Sequence, residues 1–257
     1  MVYLFKQFIK TKFVILSFFL LFILGTINTV YPITANDILK KIDNLGNYKT
    51  SMAKLAMVIY PRIDNSKEYR IIKMIGYSKG KDNSYYKYVY PNSVKGMKML
   101  SRADDIWMFF PSTGRKRKIA SYNKKQTVEG VGGDFSYQDM TMGDYAKDYS
   151  SKILNDKNDT WTLELIPLQK DHAYKKLKVT VIKSNYRVTQ IKYYDEDGFL
   201  KSLFLTSYKK IKSYDIPMTM LMINYRSKSK TIIKIVDLRI DVNISNKYFD
   251  ADKLESN

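Results

Sequence analysis

Apolar and polar side chains alternate along most of the chain, with the two-residue period of a β-strand that buries one face. Twelve segments carry this pattern or are otherwise rich in β-forming residues: 52–62, 67–80, 84–91, 95–103, 106–111, 115–122, 161–167, 176–183, 188–195, 200–211, 217–226 and 231–242. Short turns separate many of them, and the Asp197-Gly198 pair is typical of a β-hairpin. The sequence therefore predicts a mainly β fold in which consecutive strands form one antiparallel meander.

A single amphipathic helix is predicted ahead of the first strand, over residues 36–45. Asn36 or Asp37 can serve as its N-cap, because both side chains accept hydrogen bonds from the free N–H groups of a first turn. Gly46 follows the last apolar position and is a common stop signal for a helix.

The segment 128–150 interrupts the strand pattern. Its glycines make the first part flexible, and Ser136 can form a capping box with Asp139 at the start of a short helix. Such an interruption in a β-rich chain fits a lid or plug over the interior. The alternative is that the segment crosses one mouth of a barrel as structural packing.

The first 35 residues have the three parts of an export signal. A positive stretch with three lysines precedes an apolar run of twelve residues, Phe13 to Leu24, that is broken only by Ser17, and small and polar residues follow as far as Ala35. A secretory core has this length, whereas a spanning helix needs about 20 apolar residues. We predict a signal peptide over 1–35, cleaved near residue 35, and one mature domain over 36–257. An uncleaved anchor is the alternative.

The charge balance is strongly basic, with 44 Lys and Arg against 25 Asp and Glu, which gives a net charge of +19. Such a balance suits an anionic membrane surface or nucleic acid. Lysine far outnumbers arginine, so the composition of an AT-rich genome also explains most of the excess. Export argues against a nucleic-acid partner inside the cell.

Several kinds of chemistry are excluded by composition. The chain has no cysteine, which rules out disulfides, thiolate metal sites and a cysteine nucleophile. His172 is the only histidine, and no G-x-S-x-G nucleophile motif accompanies it. We predict no cofactor or metal. Hydrolysis by paired carboxylates stays open, because such residues meet only in the fold.

Six motifs in a fixed order resemble a known family, the outer membrane lipoprotein-sorting proteins, which are related to the LolA and LolB carriers. The motifs are W-M-F-F-P-S-T-G-R-K-R-K-I (107–119), G-D-F-S-Y-Q-D-M (133–140), T-L-E-L-I-P (162–167), Y-Y-D-E-D-G (193–198), I-P (216–217) and V-N-I-S-N-K-Y-F-D-A-D-K-L (242–254). The resemblance covers about 36–255, and the first two motifs are its most specific part.

The resemblance implies a curved antiparallel sheet that forms an incomplete barrel, closed by the N-terminal helix and a short helical plug. It implies an apolar cavity for acyl chains, and a periplasmic carrier, not an enzyme, that moves lipoproteins or phospholipids toward the outer membrane. Its expected partners are these acyl chains, a membrane surface, an inner-membrane transporter or exporter as donor and an outer-membrane acceptor. The main alternative is an envelope sensor or binding module without transport. A polyanion binder and a hydrolase that uses carboxylates are further alternatives.

Candidate site residues follow from this interpretation. Residues two apart on a strand share a face, so either Trp107 and Phe109 or Met108 and Phe110 line the cavity, and we favour the first pair. The full set of predicted lipid contacts is Trp107, Phe109, Phe110, Phe135, Met140 and Met142. Arg115 and Arg117 are predicted to bind a lipid headgroup, because a guanidinium binds phosphate oxygens in pairs.

Overall fold

A computed structural model describes residues 32–141 and 143–257. Its strands belong to one antiparallel sheet. They are β1 (Thr50–Tyr60), β2 (Arg70–Lys79), β3 (Asn83–Tyr90), β4 (Lys98–Arg102), β5 (Asp105–Phe110), β6 (Arg115–Lys118), β7 (Tyr149–Lys157), β8 (Thr160–Pro167), β9 (Lys176–Ile182), β10 (Val188–Asp195), β11 (Gly198–Ile211), β12 (Tyr214–Asn224) and β13 (Ser229–Ile240). The predicted signal segment up to residue 31 lies outside the described residues.

The strand order across the sheet is β6-β5-β4-β3-β2-β1-β13-β12-β11-β10-β9-β8-β7. The chain therefore winds outward from β1 to one edge, crosses to the other edge, and returns so that β13 pairs with β1. Strands β6 and β7 are edges, and the sheet does not close into a barrel. The predicted fold class, a single antiparallel sheet forming an incomplete barrel, is confirmed.

Helix α1 (Ala35–Leu45) begins one residue before the predicted range and uses a different cap. Thr34 is the N-cap, and its hydroxyl accepts a hydrogen bond from the Asp37 backbone N–H at 3.1 Å. The Asp37 carboxylate in turn accepts the Thr34 backbone N–H at 3.2 Å, which completes a capping box. The prediction that Asn36 or Asp37 is the N-cap is wrong, because Asp37 fills the third helical position of the box instead.

Replacing Thr34 with alanine is expected to lower the free energy of unfolding by about 0.5–2 kcal/mol, the usual effect of losing an N-cap. Thr34→Ser keeps the hydroxyl and is the matched control. Urea unfolding followed by circular dichroism measures both variants. An alanine variant as stable as the serine variant would show that the cap contributes nothing.

The inner face of the sheet holds the main core. Helix α1 buries Ala35, Ile38 and Leu39 against this face. The segment 128–150, called the plug from here on, packs beside the helix. A short second helix, α2 (Tyr145–Asp148), joins the plug to α1, because Asp43 of α1 accepts the backbone N–H of Ala146 at 2.9 Å. None of the helices in the described part of the chain is long and apolar enough to cross a membrane.

The outer face of β3–β5 is covered by the C-terminal segment. Phe249 and Leu254 are buried there in a second apolar cluster that includes Trp107 and Phe109. Beneath this segment the Lys98 ammonium donates to the Glu255 carbonyl at 2.8 Å. The two faces of this part of the sheet are thus filled by different parts of the chain.

Candidate functional site

The core contains an apolar cavity of about 320 Å³. It lies between the C-terminal end of α1 and the inner face of the central strands. Its lining comes from α1 and the loop after it, from β1 to β3, from α2 and from β10 to β13. The apolar lining residues are Ile42, Leu45, Ala53, Leu55, Val188, Ile191, Leu205, Ile216, Pro217, Met220, Ile235 and Leu238.

The cavity exists because two paired strands carry small residues at one end of their inner face. Ser51 of β1 pairs with Ser78 of β2, and Ala53 pairs with Gly76. At the other end of the same two strands, large inward residues such as Met57 fill the core completely. The change from large to small side chains along one face leaves a space that no side chain occupies.

Gly76 is fixed by its surroundings. A Cβ atom at this position would lie 3.1 Å from the Tyr86 ring and 3.2 Å from the Leu55 side chain. Both distances are shorter than ordinary van der Waals contact, so a larger residue would displace the wall of the cavity.

The polar groups around the cavity bind one another. The hydroxyls of Ser51 and Ser78 lie 2.6 Å apart, and the Tyr208 hydroxyl donates to the Val188 carbonyl at 2.7 Å. Arg187 forms a two-pronged ion pair with Asp215, at 2.5 and 2.9 Å. Because these polar atoms already have partners, the surface that the cavity presents to a ligand is mainly apolar.

Burial keeps the tyrosines of the lining neutral. Desolvation raises the pKa of Tyr86 to about 12, and it raises the pKa of Tyr145 and Tyr208 well above the ordinary phenol value. The phenols therefore add aromatic surface to the cavity and carry no charge at neutral pH.

Trp107 and Phe109 lie away from this cavity. They belong to the outer cluster under the C-terminal segment, whereas Met108 of the same strand is buried in the main core. The preference for Trp107 and Phe109 as the inward pair is wrong. Alternation required one pair to face inward, but the C-terminal segment that covers the other face could not be placed from the strand alone.

Three further predicted lipid contacts, Phe110, Phe135 and Met140, do not line the cavity either. Phe110 packs at the margin of the main core, and Phe135 and Met140 of the plug are buried in it. Met142 lies outside the described residues. The roles of all four side chains in lipid binding stay predictions, and Phe110, Phe135 and Met140 belong to the core in this structure.

The predicted headgroup residues lie on β6, at one edge of the sheet. Arg115 is exposed, while Arg117 forms an ion pair with Glu129 and stacks over the Phe110 ring at 5.2 Å. Neither arginine lines the cavity. If these arginines bind a lipid headgroup, they do so at the β6 edge of the sheet, away from the lining of the cavity.

The plug is fixed to the sheet by a buried ion pair. The Lys201 ammonium of β11 donates to the Asp139 carboxylate at 2.5 Å and to the Asp134 carbonyl at 2.7 Å. Both charged side chains are at least 96% buried, with exposures of 4% and 3%. The Tyr174 hydroxyl donates to the other carboxylate oxygen of Asp139 at 2.8 Å.

A second buried carboxylate ties the plug to strand β13, which lies two strands from β11 in the sheet. Asp134 accepts the Thr231 hydroxyl at 2.7 Å and also the Ser229 hydroxyl. Ser136 and Asp139 exchange the predicted hydrogen bonds, at 2.8 and 3.2 Å, but the helix that follows, Gln138–Met140, is a short 3-10 helix whose N-cap is Tyr137. These contacts favour the interpretation of the segment as fixed packing over that of a movable lid.

Sequence reasoning missed the residues that form the cavity. The signal was the spacing of small residues on alternate positions, Ser51 and Ala53 on one strand and Gly76 and Ser78 on the next. Only the register of β1 against β2 brings these four positions together, and the predicted meander did not specify that register.

The fold is shared with solved structures of bacterial proteins. A candidate outer membrane lipoprotein-sorting protein domain from Vibrio parahaemolyticus matches with a TM-score of 0.77 and 26% identity, over 86% of this chain and 97% of that chain. A DUF1329 family protein from Desulfovibrio piger matches with a TM-score of 0.77 and 25% identity, over 85% and 97%. A LolA superfamily protein from Nitrosomonas europaea has a TM-score of 0.73 and 22% identity, over 86% and 99%.

Sequence comparison adds a family match. Residues 80–256 match a family whose description reads "Uncharacterized protein". A comparison with curated proteins gives no match.

Proposed function

The chain belongs to the outer membrane lipoprotein-sorting, LolA-like family, and from this premise we propose that it is a periplasmic carrier of acylated cargo. It binds the acyl chains of lipoproteins or phospholipids in the apolar cavity and moves them toward the outer membrane. The observation that carries this proposal is the cavity of about 320 Å³ with a mainly apolar lining, in which the hydroxyls of Ser51, Ser78 and Tyr208 already have partners. Such a space suits a hydrocarbon tail better than a polar ligand.

The energy of tail burial suits a carrier that passes its cargo on. Each CH₂ group moved from water into an apolar site contributes about 0.8 kcal/mol, so one tail is held firmly but reversibly. Release then requires an acceptor that binds the tail more tightly. A donor in the inner membrane and an acceptor at the outer membrane are the proposed partners.

Export fits the proposed role, and the helix cap bears on the cleavage point. Thr34 and the buried Ala35 belong to the folded part of the chain. Cleavage directly after Ala35 would remove the cap of α1. We therefore propose processing before Thr34, which N-terminal sequencing of the exported protein would test.

A transfer assay tests carriage. Donor vesicles containing a fluorescent phospholipid are mixed with acceptor vesicles, and the rate of transfer is followed with and without the protein. The wild-type protein is expected to speed transfer in proportion to its concentration, and the Ala53→Phe variant, with a filled cavity, is expected not to. A protein that retains the lipid without delivering it would instead be a binding module or sensor.

A further inference from the structure

The sheet splits open beside the cavity. The ladder between β12 and β13 ends at the pair Thr219 and Lys234. Beyond this pair, β12 continues with β11 as far as Tyr214, and β13 continues with β1 as far as Ile240. Within the described residues, no ladder pair joins 214–218 of β12 to 235–240 of β13.

Three backbone irregularities lie at the point where the strands separate. Ser207 of β11 has a φ of 55°, in the left-handed region. Pro217 of β12 has no N–H to donate to a neighbouring strand. Val236 of β13 has no partner in β1, where the register shifts, so it forms a bulge that bends the strand. Ser207 and Val236 distort β11 and β13 within ladders that resume beyond them, and Pro217 removes a hydrogen-bond donor from β12. All three strands are therefore irregular where β12 and β13 separate.

The split leads into the cavity. Side chains from both of its margins line the cavity, Ile216 and Pro217 from β12 and Ile235 and Leu238 from β13. The opening therefore lies at the side of the sheet and has apolar walls.

A single exposed ion pair closes the far end of the split. Lys212, in the turn between β11 and β12, donates to the Asp241 carboxylate just after β13 at 3.0 Å and to the Ile240 carbonyl at 3.4 Å. The Lys212 side chain is 56% exposed. An exposed pair of this kind contributes little and breaks readily.

We propose that the split between β12 and β13 is the port of the cavity, through which one acyl chain slides in sideways, and that Lys212 and Asp241 are its latch. The cavity volume of about 320 Å³ is at the lower end of ligand pockets, which suits one chain better than several. A sideways port leaves the headgroup at the surface beside the latch, so the cavity selects for the tail. This inference rests on the proposed function.

A disulfide that extends the ladder tests the port. Met218 and Ile235 are the first positions beyond the last pair, and the natural chain has no cysteine to interfere. Oxidised Met218→Cys/Ile235→Cys protein is expected to take up a fluorescent polyene fatty acid at least roughly tenfold more slowly than wild type, and reduction should restore the rate. The control is Leu221→Cys/Ile232→Cys, a pair already in the ladder on the outer face.

Opening the latch gives an independent test. Lys212→Met is expected to speed uptake roughly two- to fivefold, the rate equivalent of one exposed ion pair. Lys209→Met removes the same charge from β11 without touching the latch and should leave uptake unchanged. Wild-type rates in both the oxidised double variant and Lys212→Met would overturn the port. Failure of the wild-type protein to bind the fatty acid at all would overturn the proposed function itself.

Discussion

Replacing Lys201 with methionine is expected to lower the free energy of unfolding by about 3–5 kcal/mol, the usual effect of removing one partner of a buried ion pair. Without the ammonium, the Asp139 carboxylate stays buried and keeps only neutral donors such as the Tyr174 hydroxyl. The plug would lose its strongest tie to β11. Urea unfolding monitored by fluorescence measures the loss.

A double-mutant cycle separates the ion pair from general packing. Lys201→Met combined with Asp139→Asn removes both charges, so it should be less destabilised than the sum of the two single variants. Lys175→Met breaks the exposed pair with Glu196 and should change stability by less than about 1 kcal/mol. Additive effects in the cycle would mean that the two charges do not stabilise each other.

Replacing Ala53 with phenylalanine is expected to weaken acyl-chain binding roughly 100-fold. The ring would occupy space on the cavity floor that the tail needs, and excluding roughly three or four CH₂ groups at about 0.8 kcal/mol each gives that factor. Because the ring enters a space that no side chain fills, stability should change by less than about 1.5 kcal/mol. Titration with a fluorescent fatty acid measures the affinity.

The matched control lies three residues along the same strand. Ala56 faces the outer side of the sheet, opposite Lys73 and Lys234, so Ala56→Phe adds the same ring away from the cavity. It should bind the fatty acid like wild type. Equal affinities for the two phenylalanine variants would mean that the tail binds elsewhere.

The strands and their meander could be predicted because alternating burial leaves a strong pattern. β7 was missed, since Tyr149–Lys157 is an edge strand with few apolar side chains and an exposed last part. Pairing of β1 with β13 could not be predicted locally, because it joins the two ends of the meander.

The type of site could be predicted from the sequence, but its position and its lining residues could not. An apolar cavity followed from the family resemblance, but its position depends on which strands pair and on what covers each face. Trp107 and Phe109 illustrate this, since a segment more than 130 residues later covers them. The residues that leave the cavity open are small. The bulky aromatic residues that are conspicuous in the sequence, Trp107 and Phe109, instead pack in an apolar cluster of the protein.

The most direct test is the lipid content of the purified protein. Protein exported and purified without detergent is extracted with organic solvent, and the extract is analysed by mass spectrometry beside extracts of Ala53→Phe and Ala56→Phe. The wild type and Ala56→Phe are expected to carry an acylated lipid, and Ala53→Phe is expected to carry far less. An empty wild-type protein that also fails to bind added fatty acid or phospholipid would contradict the claim that this cavity holds acyl chains.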